Sequence, residues 1–270
     1  MKRGPALLVH SLKRYRMLLL ITGGVLAGFQ ILLCLAAATL QESNSFGPLL
    51  ALIPAPMREA FGPALIVLMS FTGIVAIGYF HIAVIAALVG MVISIGTEPA
   101  AEIETRFIDL VMAHPLPRYW IVCRTILLLA LSTILVMVLM VLGSAIGIYW
   151  FAPREALQPS MAAVRSLALN LAVLMLSWGG IALALASFAR RRSAPAGIAG
   201  VLALVSYLAD YLARIWKPAT HVAWLCPFHY YNAVEMIGGA SLALRDLWIL
   251  GAIAVAGFGI AVLVFSRRDL

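Results

Sequence analysis

Residues Ala64–Gly96 read ALIVLMSFTGIVAIGYFHIAVIAALVGMVISIG, 33 consecutive positions without a formal charge. As a helix rising about 1.5 Å per residue, this run would extend about 50 Å, beyond the ~30 Å of a bilayer's hydrocarbon core yet short of two crossings and a turn. It reads as one tilted or broken span, placed at 69–96. Five further apolar runs flank it, at 17–40, 121–150, 166–189, 196–215 and 247–265, each long enough to cross a bilayer. The predicted fold class is an all-α polytopic membrane protein with six transmembrane helices, forming one membrane domain over 1–270.

Composition agrees with that reading. The 270 residues are 64% hydrophobic and 11% charged, against about 45–50% and about 25% in soluble domains, which excludes a soluble enzyme. The formal net charge of +8 would suggest nucleic acid in a soluble protein. Here topology accounts for it, and no nucleic-acid partner is expected. With the N-terminus inside, 13 of the 19 Lys and Arg fall on cytoplasmic segments, so both termini are expected in the cytoplasm. Met17–Leu40 is too long for a signal-peptide core and is read as a retained first span. Cys34, Cys123 and Cys226 lie in or beside separate apolar runs, with neither disulfide nor zinc spacing.

The segments assigned to the outside, 41–63, 152–165 and 216–246, are rich in Pro, Gly and aromatic residues. Trp216, Trp224, Phe228, Tyr230 and Tyr231 suit a headgroup boundary. On the cytoplasmic side, Leu8, Leu12, Tyr15 and Leu19 recur at helical spacing while His10, Lys13 and Arg14 fall elsewhere. That pattern predicts an amphipathic interfacial helix over 1–16.

A second amphipathic stretch, TEPAAEIETRFIDLVMAHPLPR over Thr97–Arg118, has Pro99 in its first turn and Glu98, Glu102 and Glu104 near its N-terminus, where the helix dipole favours acids. Pro115 and Pro117 stop it. Ile103, Phe107, Leu110 and Val111 form one face, and Glu102, Arg106 and Asp109 lie largely on another. Such a helix can rest its apolar side on the spans and offer its charged side to a soluble partner; the simpler reading is a re-entry helix that turns the chain into span 3.

An acidic helix, a short apolar stretch and Pro-x-x-Arg leading into the next span resembles the cytoplasmic loop of type-2 ATP-binding-cassette permeases, here at Glu98, Glu102, Glu104, Asp109, Leu110, Pro115, Pro117 and Arg118. The layout matches along the whole chain: a basic start, six spans, this loop between spans 2 and 3, basic Arg190–Arg192 between spans 4 and 5, and Phe265-Ser266-Arg267-Arg268-Asp269 at the end. The Gly-Thr pair usual shortly after the loop's first Glu stands before it, as Gly96-Thr97, which leaves the helix register open. The resemblance implies that 97–118 is a coupling helix, with Glu98, Glu102, Glu104, Arg106, Phe107, Asp109 and Arg118 facing an ATPase. It also implies two ATPase subunits, a second permease protomer, membrane lipid around the pair, and export across the inner membrane of a prokaryotic cell. ATP and Mg would be held by the ATPase, with no cofactor on this chain.

A P-loop needs Lys after Gly, whereas Lys2, Lys13 and Lys217 follow Met, Leu and Trp, so hydrolysis must reside elsewhere. No rhomboid-like nucleophile motif and no HExxH occurs, and the chain is not expected to be an enzyme. His81 alone among the five histidines falls in a span; it is read as a satisfied polar group within the bundle. Asp210 and Arg214, four apart at the outer end of span 5, can neutralise each other. An ionisable residue at that depth is also a candidate for function. By resemblance, span 5 and the segment after it border the pathway, so Asp210, Arg214, Phe228, His229, Tyr230 and Tyr231 are candidate pathway or outer-gate residues. An aromatic belt is the simpler account of the last four. The alternative for the whole chain is a membrane anchor or assembly subunit that transports nothing.

Overall fold

A computed structural model describes residues 3–43, 70–108, 117–153, 159–233, 236 and 242–268. Six helical segments among them are long and apolar enough to cross a membrane, and the chain is an all-helical, multi-pass integral membrane protein. Span 1 is α1 (Arg3–Glu42), and span 2 is the pair α2 (Phe71–Phe80) and α3 (Ile82–Gly96). A short α4 (Glu98–Glu104) follows. Spans 3, 4 and 5 are α5 (Tyr119–Phe151), α6 (Met161–Phe188) and α7 (Ser193–Ala213); a one-turn α8 (Thr220–Ala223) precedes span 6, α9 (Leu244–Arg267). An even number of crossings puts both termini at one rim of the bundle, called here the termini rim; the opposite is the distal rim.

α6 is the most enclosed span, and α7 and α9 are the least. Two helix pairs pack closely because glycine leaves room for the neighbouring backbone. A Cβ on Gly143 of α5 would lie 2.5 Å from the Ala27 carbonyl oxygen of α1, and one on Gly257 of α9 would lie 2.5 Å from the Gly180 carbonyl carbon of α6. By contrast a Cβ on Gly200 of α7 would meet nothing within 4 Å.

Three local features differ from the sequence expectation. Residues 3–16 form no separate interfacial helix, because α1 runs unbroken for 40 residues, about 60 Å at the usual rise. Its amphipathic stripe has a protein partner: Ser11, Tyr15 and Leu19 are buried, and the Tyr15 hydroxyl donates to the Ser94 carbonyl at 3.2 Å. His10, Lys13 and Arg14 remain exposed, as their spacing predicts.

Span 2 is broken at His81, whose ψ of 132° is extended. The His81 N–H closes α2 on the Ile77 carbonyl at 2.8 Å. Its Nδ1 then caps α3 by accepting the Ala83 N–H at 3.2 Å. That cap diverts the donor that a continuous helix would send to the Tyr79 carbonyl. The buried Tyr231 hydroxyl donates there instead, at 2.9 Å. His81 itself is exposed rather than enclosed in the bundle.

The third difference is the loop helix, expected to continue toward Pro115. α4 ends at Glu104 after seven residues, and Arg106 takes a left-handed φ of 55°. This left-handed residue just past the C-cap interrupts the helix; helical backbone resumes at Phe107 and Ile108, and the stretch on to Pro115 lies outside the described residues.

Candidate functional site

The loop after span 2 is where the structure gathers buried charge. α4 turns its N-terminal acids inward, so Glu98 and Glu102 are only 1% and 2% exposed. This corrects the expectation that Glu102 shares an outward face with Arg106. The reason is Arg124 of α5, itself 1% exposed, whose charge at that depth requires a carboxylate. Its Nη2 meets Glu102 Oε1 at 2.7 Å. Glu98 Oε1 accepts from Ser11 Oγ of α1 at 3.2 Å, with Arg14 Nη1 at 4.0 Å. Burial pushes the Glu98 carboxyl up from the usual range while Arg124 pulls it down. Glu98 Oε2, Glu102 Oε2, and Arg124 Nε and Nη1 are buried with no hydrogen-bond partner among the described residues.

Arg192, from the basic turn between spans 4 and 5, closes the other side. Its Nη2 donates to the Ser94 hydroxyl at 2.8 Å and the Ser94 carbonyl at 2.9 Å. Its Nε reaches Thr97 Oγ1 at 3.3 Å, and its backbone N–H donates to Glu104 Oε2 at 2.9 Å. α4 is thereby bonded to α1, α5 and the turn after α6. Glu104 and Arg106 remain exposed, and Phe107 is half-buried, stacked on His10 with ring centroids 5.9 Å apart. Asp109 lies outside the described residues. Arg118 stands apart from this network; it donates to the Arg268 carbonyl, and Arg268 in turn donates to the Ser187 and Ala189 carbonyls at 2.8 and 3.0 Å.

From the sequence, Arg124 enters only the count of positive charge, and Arg192 and Arg268 enter only that count and the layout of the chain. A signal for Arg124 existed: it is the one charge inside the apolar run 121–150. The partners Ser11 and Ser94 carry no comparable mark.

At the distal rim, Asp210 and Arg214 pair as expected, with Arg214 Nη2 and Nε 2.9 and 3.2 Å from Oδ2. His229 Nδ1 lies 3.5 Å from Oδ1 of the same carboxylate. The aromatic segment divides its work. Phe228 and Tyr231 are buried: Phe228 lies 5.6 Å from Trp178 and 5.4 Å from Tyr207 between ring centroids, and Tyr231 bolts the segment to the break in span 2. His229 is exposed, and half-buried Tyr230 donates its hydroxyl to the Trp224 carbonyl at 2.7 Å. These contacts go beyond what a belt of interfacial rings requires, since they tie spans 2, 4 and 5 together.

Two adjoining hollows meet at Phe228, Tyr207 and Ile85. One, of about 110 Å³, is lined by Asp210, Arg214 and Tyr231. The other, of about 300 Å³, is an apolar groove between α3 and α7 that includes Val89, Gly90, Gly200 and Leu204. Among the described residues, no group of three His, Cys, Asp or Glu is placed to hold a metal ion. No protein-family model matches this chain, and neither a curated protein nor a solved structure matches it.

Proposed function

We propose that this chain is the transmembrane permease subunit of an ATP-driven exporter in the inner membrane of a prokaryotic cell. It would work as a dimer of permease protomers with two separate ATPase subunits that hold ATP and Mg. The observation that carries this reading is α4: a short helix at the termini rim whose inner side is bonded to α1, α5 and the turn after α6. Its far end leaves Glu104 and Arg106 exposed beside Phe107. Force applied there would reach several spans at once, which a mere re-entry turn does not need. A partner biases such an element only through contacts that differ between its own two states, as nucleotide binding and hydrolysis would supply. The bolt from Tyr231 to span 2 and the packing of Phe228 support a closure at the other rim.

The test is gentle affinity purification of the full chain from its native membrane. A Walker-motif ATPase should copurify, and Arg106→Glu with Phe107→Ala should release it while leaving the spans folded. Those positions are preferable to Glu102, where a substitution would strand Arg124. Absence of any such ATPase from the wild-type complex would overturn the exporter and favour the anchor reading.

A further inference from the structure

We infer that the groove between α3 and α7, together with the Asp210–Arg214 hollow above it, binds an amphiphile with a phosphate-type anionic head and an acyl chain. That it is a substrate site, and not only a lipid site, rests on the exporter reading. The groove is lined by Ile85, Val89, Ile93, Gly200, Leu204 and Phe228, without a charged side chain. Along α7 the groove runs from Gly200 to Tyr207, about 10 Å at the helical rise, and the adjoining hollow carries it on to Asp210, about 15 Å in all. Together they span about half of a ~30 Å hydrocarbon core, the depth of a single leaflet. The apolar part takes the inner length of one acyl chain, with the polar end at the distal rim where a headgroup lies.

The chemistry at that end selects the sign of the head. Asp210 is 12% exposed and both its oxygens are engaged, Oδ2 by Arg214 and Oδ1 facing His229, so it is poorly placed to draw a cation. Arg214 is 49% exposed, and it holds Asp210 through Nε and Nη2, not through Nη1. Tyr211, on the wall of the same hollow, is also exposed. What the hollow offers a ligand is therefore hydrogen-bond donors, one of them charged, beside a carboxylate already neutralised. A guanidinium in that position suits a phosphate oxygen. The headgroup and acyl subsites share Ile85, Tyr207 and Phe228, so one molecule can occupy both.

The experiment uses the purified full chain in maltoside micelles with two probes carrying a diazirine on the acyl chain, phosphatidylglycerol and the corresponding diacylglycerol, which lacks phosphate. Irradiation should label peptides covering 82–93 and 200–207. Phosphatidylglycerol should label about tenfold more than diacylglycerol, the ratio expected of one charged contact. Arg214→Gln should erase that preference, and Arg214→Lys should restore part of it, which separates loss of the donor from loss of the fold. Gly200→Leu, at a position with open space around it, should lower labelling by both probes. Equal labelling by the two probes, or labelling indifferent to Gly200→Leu, would overturn the inference. So would complete displacement by inorganic phosphate, which would mark a free-anion site, or exclusion of both probes by a second copy seated in the groove. Labelling needs no ATPase, so normal labelling without a copurifying ATPase would remove the exporter reading and leave the lipid site standing.

Discussion

Glu98 illustrates how much a single buried carboxylate decides at the termini rim. Burial raises its proton affinity above that of the unfolded chain, with Arg124 partly opposing. The sign follows from linkage: the stabilisation is fully present below the unfolded value of about 4.3 and is lost as pH climbs through the higher folded value. Glu98→Gln carries no charge at any pH, so its thermal midpoint should fall less than the wild type's as pH is raised across that window. An unchanged slope in a melting series would assign the pH dependence to other groups. Arg124 and Glu102 make a second case. Arg124→Met should destabilise the protein by about 3–5 kcal/mol by leaving Glu102 buried without its partner, whereas Arg124→Met with Glu102→Leu should cost less than the single change. A double-mutant cycle from equilibrium unfolding in mixed micelles checks this; additive costs would mean the pair is not coupled. Neither role could be read from the sequence, because helical spacing places Glu102 on a polar face without saying whether that face meets water or Arg124.

At the scale of elements, the break in span 2 is the feature with consequences. The sequence required one tilted or broken helix over 69–96, and only the backbone at His81 resolves that choice. The His81 cap and the Tyr231 hydroxyl replace the Ala83–Tyr79 hydrogen bond that the break removes, so the aromatic segment at the distal rim and span 2 stabilise each other. Tyr231→Phe should leave the Tyr79 carbonyl buried without this donor, at a cost of about 1–3 kcal/mol, and hydrogen exchange at 82–85 and 227–231 should rise together. Faster exchange confined to 227–231 would show that the break does not depend on the bolt. Phe228 and Tyr231 were legible from their side chains only as boundary aromatics, and as candidate gate residues only through the family resemblance. The partners Trp178 and Tyr207 were not, because they lie on spans distant in sequence whose only mark was apolarity.

For the whole molecule, the six crossings place both termini at one rim, and the distribution of Lys and Arg predicts that this rim faces the cytoplasm. A C-terminal green fluorescent protein fusion should fluoresce, and a C-terminal alkaline phosphatase fusion should be inactive; the opposite pair of results would invert the orientation. The number of spans, their approximate limits and the position of the basic turns were determined by sequence alone. Apolar length and charge placement are imposed by the bilayer on each segment separately, without reference to its neighbours. Tertiary structure alone decided that α1 runs unbroken for 40 residues and holds α4, that the acids of α4 turn inward, and that the aromatic segment at the distal rim is bolted to span 2. Those outcomes depend on which helices lie side by side. In lipid, adjacent apolar faces differ little in their attraction, so the arrangement is selected by glycine contacts and a few buried polar pairs scattered along the chain.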